Sequence, residues 1–337
     1  MNQLSRRQFL GRSAVGGVTL LGLPAFLSAC GKSDSKNSSG GGSASPLSMQ
    51  AAWINDAEFM GYFIAMTNGY YANEGVDLNY LSGGPDVIPE SSLLSGTAPL
   101  ALTTPDSTIK AIVDDGAPFV IIGTQYQKNP IGIVSLKKSN INEPKDLIGK
   151  TLAVPPVNTI TVEAMLKLNG IDKSQLTIVP YSYDPTPLVK GEIDASMDFT
   201  TNVPYTISEL GEEASSFLLY DFGVTLYNDT VVVTKDALSS QRELIVKWLR
   251  ASRKGWEENF KDTDKYPPMF ADSYFKGTGR TIENELFFNR AQQPLMESSD
   301  GFFAMSDEGI ENNLKALAEI GIKGTKDMFD TSLLAEI

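Results

Sequence analysis

Residues 48–81 read SMQAAWINDAEFMGYFIAMTNGYYANEGVDLNYL, and the order of elements in this stretch decides the fold class. Ser48–Trp53 reads as a strand. Asn55 or Asp56 follows as a helix cap, because a short side-chain oxygen there accepts from N–H groups that the first turn leaves free. Phe59, Tyr62, Phe63 and Met66 fall at i, i+3, i+4 and i+7, the spacing of one helical face. Gly69 ends that helix, and Val76–Leu81 reads as the next strand. Strand, helix and strand in direct succession is the rhythm of an α/β protein.

The rhythm continues outward from this unit. Gly83-Gly84-Pro85 is a turn, Pro89–Leu94 a short helix, Ala98–Leu102 a third strand, Ile109–Val113 a helix and Pro118–Gly123 a buried strand. A second unit opens near Ile131–Leu136. It runs through strands at Thr151–Val154, Thr177–Pro180 and Ala195–Asp198, with helices at Thr161–Leu168, Pro185–Lys190 and Thr206–Leu210 between and after them. After a valine-rich strand at Thr230–Thr234 the chain turns helical: Ser240–Asn259, Asp264–Phe275, Thr281–Arg290 and Ser306–Ile320. Two domains of ordinary size fit a chain of 337 residues.

Composition removes whole classes of chemistry. The chain has no histidine and one cysteine. The first absence removes Ser-His-Asp and Cys-His constellations and the usual zinc sites. A single cysteine leaves no internal disulfide, iron–sulfur cluster or Cys-x-x-Cys site. With 41 Asp+Glu against 28 Lys+Arg, a formal charge of −13 argues against a nucleic-acid partner, which needs a basic face. No cofactor or metal is expected.

Residues 1–29 read as an address rather than as part of the fold. Arg6, Arg7 and Arg12 precede an apolar run from Ala14 to Ala29, about sixteen residues and short of the roughly 20 that cross a bilayer. Ser5-Arg6-Arg7-Gln8-Phe9-Leu10 resembles the twin-arginine export motif. Leu27-Ser28-Ala29-Cys30 resembles a bacterial lipobox, which implies cleavage before Cys30 and a lipid on its sulfur. Residues 30–47 then read as the lipidated cysteine and a Gly/Ser-rich flexible tether. The expectation is an exported protein held by lipid to the outer face of the cytoplasmic membrane.

The folded part resembles a known family. Trp53, Ala57-Glu58-Phe59, Gly61-Tyr62, Asn68-Gly69-Tyr70-Tyr71 and Glu74-Gly75-Val76-Asp77-Leu78 resemble the opening of solute-binding proteins of the sulfonate, nitrate and thiamine-precursor group of ABC importers. Ser82-Gly83-Gly84-Pro85-Asp86, Ser95-Gly96-Thr97-Ala98, Asp146-Leu147-Ile148-Gly149-Lys150, Gly170-Ile171-Asp172, Tyr183-Asp184-Pro185 and Gly191-Glu192-Ile193-Asp194-Ala195 follow in order. The resemblance covers roughly 48–330. It implies an α/β, two-lobe, type 2 periplasmic-binding-protein fold, with lobe 1 at 48–132 plus 230–337 and lobe 2 at 133–229. Ile131–Leu136 and Thr230–Thr234 would be the two crossing strands between lobes. The partners it implies are a small-molecule ligand, an ABC permease and its ATPase; the protein would be a monomer.

Open α/β sheets place ligands beyond the carboxyl ends of their strands. The candidates there are Trp53, Asn55, Asp56, Glu58, Phe59, Gly83, Gly84, Asp86, Thr104, Asp106 and Tyr126 in lobe 1. In lobe 2 they are Asn158, Thr159, Tyr183, Asp184, Asp198, Phe199 and Asn202, with Tyr227 near the second crossing strand. Each has a structural alternative. Asn55 and Asp56 cap a helix or touch ligand, and Phe59 and Tyr62 lie on a stripe that is core or site. Gly83-Gly84-Pro85-Asp86 is a turn or a ligand loop, and Trp53 is core or a stacking platform.

The cleaved chain keeps five arginines, Arg242, Arg250, Arg253, Arg280 and Arg290, all in the C-terminal helical part and none near the proposed cleft motifs. Anions are typically gripped by an arginine fork. Rings and carboxylates suit a flat heterocycle with exocyclic amines instead. A thiamine pyrimidine precursor is the first choice of ligand, and a riboflavin-like molecule the second. The alternatives are a sulfonate or other small anion, and a surface sensor. An enzyme is the least favoured reading, since the eukaryotic enzymes of the same resemblance depend on histidine and a cysteine-rich iron motif.

Overall fold

The computed structural model describes residues 44–337. The export motif, the lipobox and Cys30 lie outside the described residues. Ten strands are present among those described: β1 (Ser45–Gln50), β2 (Val76–Leu81), β3 (Leu100–Thr103), β4 (Phe119–Tyr126), β5 (Ile131–Leu136), β6 (Thr151–Val154), β7 (Thr177–Pro180), β8 (Ala195–Phe199), β9 (Ala214–Leu218) and β10 (Asn228–Thr234). They form two sheets of five, ordered β2-β1-β3-β10-β4 and β7-β6-β8-β5-β9. β1 runs parallel to β2 and β3, and β6 parallel to β7 and β8. β10 and β5 enter their sheets antiparallel to their neighbours.

Each sheet is the centre of one lobe. The chain passes between lobes twice, through 127–130 from β4 to β5 and through 219–227 from β9 to β10. The two passages are tied together: Asn129 N donates to the Leu226 carbonyl at 3.1 Å. β5 and β10 are the strands entered from these crossings, and each pairs within one sheet only.

Helices cover the sheets: α1 (Met60–Thr67), α2 (Tyr70–Asn73), α3 (Pro89–Leu94), α4 (Pro105–Asp115), α5 (Thr159–Leu168), α6 (Thr186–Val189), α7 (Val203–Glu209), α8 (Lys235–Ser240), α9 (Arg242–Asn259), α10 (Pro267–Phe270), α11 (Ile282–Met296) and α12 (Asp307–Glu319). α1 and α9 pack on the first sheet with Trp248, Trp256, Phe59, Tyr62 and Phe63 fully buried between them. The two helices approach closely because Gly61 and Gly255 face each other. A Cβ on Gly255 would enter the Gly61 carbonyl, and one on Gly61 would enter the Trp256 ring. Among the described residues no helix is long and apolar enough to cross a membrane.

The structure corrects the sequence reading at several elements. β1 starts at Ser45, inside the segment read as tether, and ends before Trp53. All six of its residues pair with β2, and Leu47 is a core residue. Backbone pairing supports a strand there that a Ser/Pro-containing segment does not advertise. β9 was not expected; it is an edge strand, ASSFL, whose ladder to β5 supplies what its composition lacks. Only Pro267–Phe270 of the expected Asp264–Phe275 helix forms, because Pro267 and Pro268 begin a new first turn. α11 runs past Arg290 to Met296 with Pro294 inside it, and the carbonyl of Leu295 accepts from Gln127 N and Lys128 N of the first crossing.

Candidate functional site

Loops that leave the carboxyl ends of the parallel strands in both lobes meet one another. After β1 the chain turns through Ala51–Asp56. Its shape is set by the loop after β2: Gly83 N donates to the Trp53 carbonyl at 2.8 Å, and a Cβ on Gly83 would enter the Ala51 carbonyl. Gly83 and Gly84 are therefore a backbone support for the Trp53 loop, and Asp86 beyond them is exposed. Trp53, so held, meets Tyr183 of the other lobe edge to face, with ring centroids 5.4 Å apart. Tyr183 follows β7 with a left-handed φ of 62°, a conformation uncommon for a residue with a side chain and often found at functional sites.

Under Tyr183 lie Tyr181, at 5.9 Å between ring centroids, and Asp198 at the end of β8. Asp198 is buried and accepts from Ser196 Oγ at 2.6 Å. Burial pushes its carboxyl up to about 7, against the opposing pull of the Ser196 and Tyr181 hydroxyls. A carboxyl poised there can accept as the anion or donate as the acid near neutral pH. Asp184, by contrast, is exposed and accepts from Thr186 N at 2.9 Å at the start of α6, which holds its carboxyl below the usual range. Its carboxylate serves the backbone at the start of α6, one residue before the N-cap Pro185.

Nearer the crossings the two lobes enclose a cavity of about 40 Å³ lined by Thr104, Asp106, Asn129, Asn158, Thr161 and Leu226, among others. Thr104 and Asp106 begin α4, and Asn158 begins α5, so helix N-termini from both lobes point at the same space. Burial raises the Asp106 carboxyl above its ordinary range, while the Thr104 side chain pulls it down. Thr159, the first residue of α5, turns its hydroxyl back to the Pro156 carbonyl at 3.0 Å.

A third contact between lobes is built on a residue that sequence reasoning set aside. Arg280, just before α11, reaches Asp56 with Nη1 to Oδ2 at 2.7 Å. With the Asn202 amide oriented by its hydrogen-bond network, its oxygen accepts from both Nη1 and Nη2 of Arg280 at 3.0 Å and its nitrogen donates to Asn284 Oδ1 at 2.6 Å. The expectation that no arginine stands near the cleft motifs is therefore wrong. Nothing local marks Arg280, since its partners lie 224 and 78 positions away.

Asp56 also caps the turn Ala57–Phe59, accepting from Glu58 N at 2.9 Å, and is fully buried. Behind it Glu58, Asp229 and Glu285 complete a buried carboxyl cluster. Burial, then the neighbouring charges of Asp229 and Asp56, hold Glu58 well above the carboxylate range. Burial likewise raises Asp229 to about 7 and Glu285 to about 8. Gln125 Nε2 bridges the Glu58 carbonyl and Asp229 Oδ2, and Ala57 N donates to Glu285 Oε2 at 2.7 Å. The cluster is a support beneath the Trp53 loop.

Several expected site residues are placed elsewhere. Phe59 and Tyr126 are core residues with no exposure; the Tyr126 hydroxyl donates to Gln292 Oε1 at 2.7 Å. Their apolar neighbours on α1 and β4 draw them inward. Tyr227 is buried against α12, with its N–H donating to Asn313 Oδ1 at 2.8 Å. Phe199 packs on Phe288 of α11 at 6.4 Å between centroids, again lobe to lobe. Asn55 keeps a buried Oδ1 without a partner among the described residues. Residues missed from sequence are Arg280, Asp229, Glu285, Asn284 and Tyr181. Tyr181 had a signal, an alternating Tyr-Ser-Tyr at the end of a strand, and Asp229 had another, an acid opening a valine run.

A family model described as NMT1/THI5 like matches residues 56–265. A formylaminopyrimidine-binding protein of Halalkalibacterium halodurans is 27 % identical over 218 residues, 63 % of this chain and 66 % of that protein. A riboflavin-binding protein of Chloroflexus aurantiacus is 21 % identical over 65 % of this chain and 64 % of its own length. The chain thus spans just under two thirds of these curated relatives. A relative from Legionella pneumophila, 24 % identical over 60 % of this chain and 66 % of its own, is named 4-amino-5-hydroxymethyl-2-methylpyrimidine phosphate synthase. Among solved structures, the periplasmic aliphatic sulphonate binding protein of Escherichia coli superposes with a TM-score of 0.65 at 13 % identity, covering 81 % of this chain and 85 % of that one. At that identity the likeness is one of fold.

Proposed function

This chain belongs to the NMT1/THI5-like family, and from that premise we propose that it is the extracytoplasmic substrate-binding lipoprotein of an ABC importer. It captures a small heteroaromatic nutrient between its lobes, a thiamine pyrimidine precursor before a riboflavin-like molecule. The observation that carries the reading is the ring pair at the cleft: Trp53 from one lobe and Tyr183 from the other, 5.4 Å apart, with the buried Asp198 carboxyl beside Tyr181 and Tyr183. Two aromatic faces on separate lobes can part and close on a flat ring, and a carboxyl at the edge can pair with its nitrogens. Arg280 does not offer a free fork to an anion, because Asp56 and Asn202 already occupy it.

The protein acts by binding and release, without turnover. The lipid on Cys30 and the tether hold the globule at the membrane, where the closed lobes are read by the permease and its ATPase. This reading is supported by the relatives named as binding proteins and by a chain with no histidine.

The test is mass spectrometry of small molecules released from protein purified without refolding, followed by calorimetric titration with formylaminopyrimidine, riboflavin and an alkanesulfonate. Saturable micromolar binding of the pyrimidine supports the proposal. Binding of the sulfonate alone overturns the ligand class, and turnover of any of the three overturns the non-enzymatic role.

A further inference from the structure

The contact made by Arg280 has a geometry that a simple structural ion pair does not need. Its guanidinium takes a carboxylate from lobe 1 with one edge and an amide oxygen from lobe 2 with two nitrogens. Around it the seam is extended by Asn284 Nδ2 donating to Thr206 Oγ1 at 3.0 Å and by Thr281 Oγ1 donating to Glu209 Oε1 at 2.7 Å. The contacts with Asn202, Thr206 and Glu209 link the N-terminal end of α11 to α7. The other end of α11 is fastened to the first crossing through the Leu295 carbonyl. A helix of 15 residues is about 22 Å long, so α11 is a strut with one end on the hinge and the other on the opposite lobe.

We infer that Arg280 is a positioning residue that clamps the angle between lobes, so that the protein favours the closed arrangement, with Trp53 against Tyr183, before any ligand enters. The polar seam breaks when the lobes turn, because hydrogen bonds near 3 Å are lost over about an ångström of displacement. This deepens the proposed function by assigning its regulation, and it rests on lobes that move about the crossings.

The test is pulsed electron–electron distance measurement on full-length protein carrying Cys30→Ser, with spin labels at Asp77→Cys and Thr177→Cys. These positions are exposed and lie on the edge strands β2 and β7 of the two sheets. No ligand is required, so the outcome is separate from that of the titrations. The unmodified seam should give a substantial short-distance population. Asn202→Ala, which leaves the Arg280–Asp56 pair intact, should lower the ratio of closed to open about tenfold, as for loss of a hydrogen bond to a charged group. Arg280→Lys should also lower it, since lysine keeps the charge and loses the fork. Thermal midpoints near that of the unmodified protein would show that the folds persist. Distance distributions that Asn202→Ala and Arg280→Lys leave unchanged overturn the inference, as does a protein that is wholly open before substitution.

Discussion

Replacing Trp53 by alanine removes one of the two ring faces at the cleft while sparing the core, because Trp53 lies on a loop and is only partly buried. Its ring meets Tyr183 at 5.4 Å between centroids. A flat heterocycle between the lobes would exchange that edge-to-face contact for stacking. Stacking of a base on an aromatic side chain is worth about 1–3 kcal/mol, which corresponds to roughly a 5- to 150-fold change in Kd. Trp53→Ala should weaken pyrimidine binding within that range by calorimetry, Tyr183→Ala by a comparable amount, and Trp53→Phe by less. The chain offers an internal check. Trp248 and Trp256 are fully buried, so ligand-dependent tryptophan fluorescence should come from Trp53 and vanish in Trp53→Phe even where binding survives. Equal affinity of Trp53→Ala, Tyr183→Ala and unmodified protein for the ligand that copurifies would refute the assignment of the stacking pair.

Stability should fall as pH rises from about 5 to 8. Asp198 and Asp229 near 7 and Glu285 near 8 bind protons in the folded state that the unfolded chain, titrating near 4, has already released. A thermal midpoint lower at pH 8 than at pH 5 is expected, with Asp198→Asn flattening part of the slope; a midpoint that climbs across this window contradicts it. Gly255→Ala should cost about 1–3 kcal/mol in urea unfolding, because its Cβ meets the Gly61 carbonyl between α1 and α9; an unchanged midpoint would show that the helices separate freely. Cys30→Ser should move the exported protein from the membrane fraction to the soluble one; unchanged fractionation would show that the anchor is not the lipid proposed.

How much of this was legible differs from residue to residue. The stripe of Phe59, Tyr62 and Phe63 was readable as core because helical spacing is local, but α1 is buried on every side from Met60 to Ala65, not along that stripe alone. Asp56 was readable as a cap for the same reason, since its acceptor role spans two residues. The start of β1 was not, because Ser45 and Pro46 become strand only by pairing with Val76 and Asp77. β9 was hidden likewise, as an edge strand whose ladder is with β5, some 80 residues earlier. The carboxyl cluster was the least legible part. Glu58, Asp229 and Glu285 are spread over more than two hundred positions, and their shifted titration comes from burial that composition does not encode.

Arg280 bears most directly on the choice between an anion and a heterocycle. Its distance in sequence from every cleft motif had favoured the heterocycle, and the structure places it beside them. The proposed preference for a heterocycle then rests on a different argument. A guanidinium grips an anion when its N–H edges are free to form a fork, and here one edge is taken by a fully buried carboxylate while two nitrogens serve Asn202. An incoming sulfonate would have to displace Asp56, leaving a buried carboxylate without its cation, a loss that typically costs several kcal/mol. Such a ligand would also stand near Glu58, whose acidity burial has already weakened because negative charge is poorly solvated there. A neutral ring carrying amino groups meets neither penalty. On the proposed reading the arginine serves to close the cleft, and the ring pair Trp53 and Tyr183 is left to the ligand.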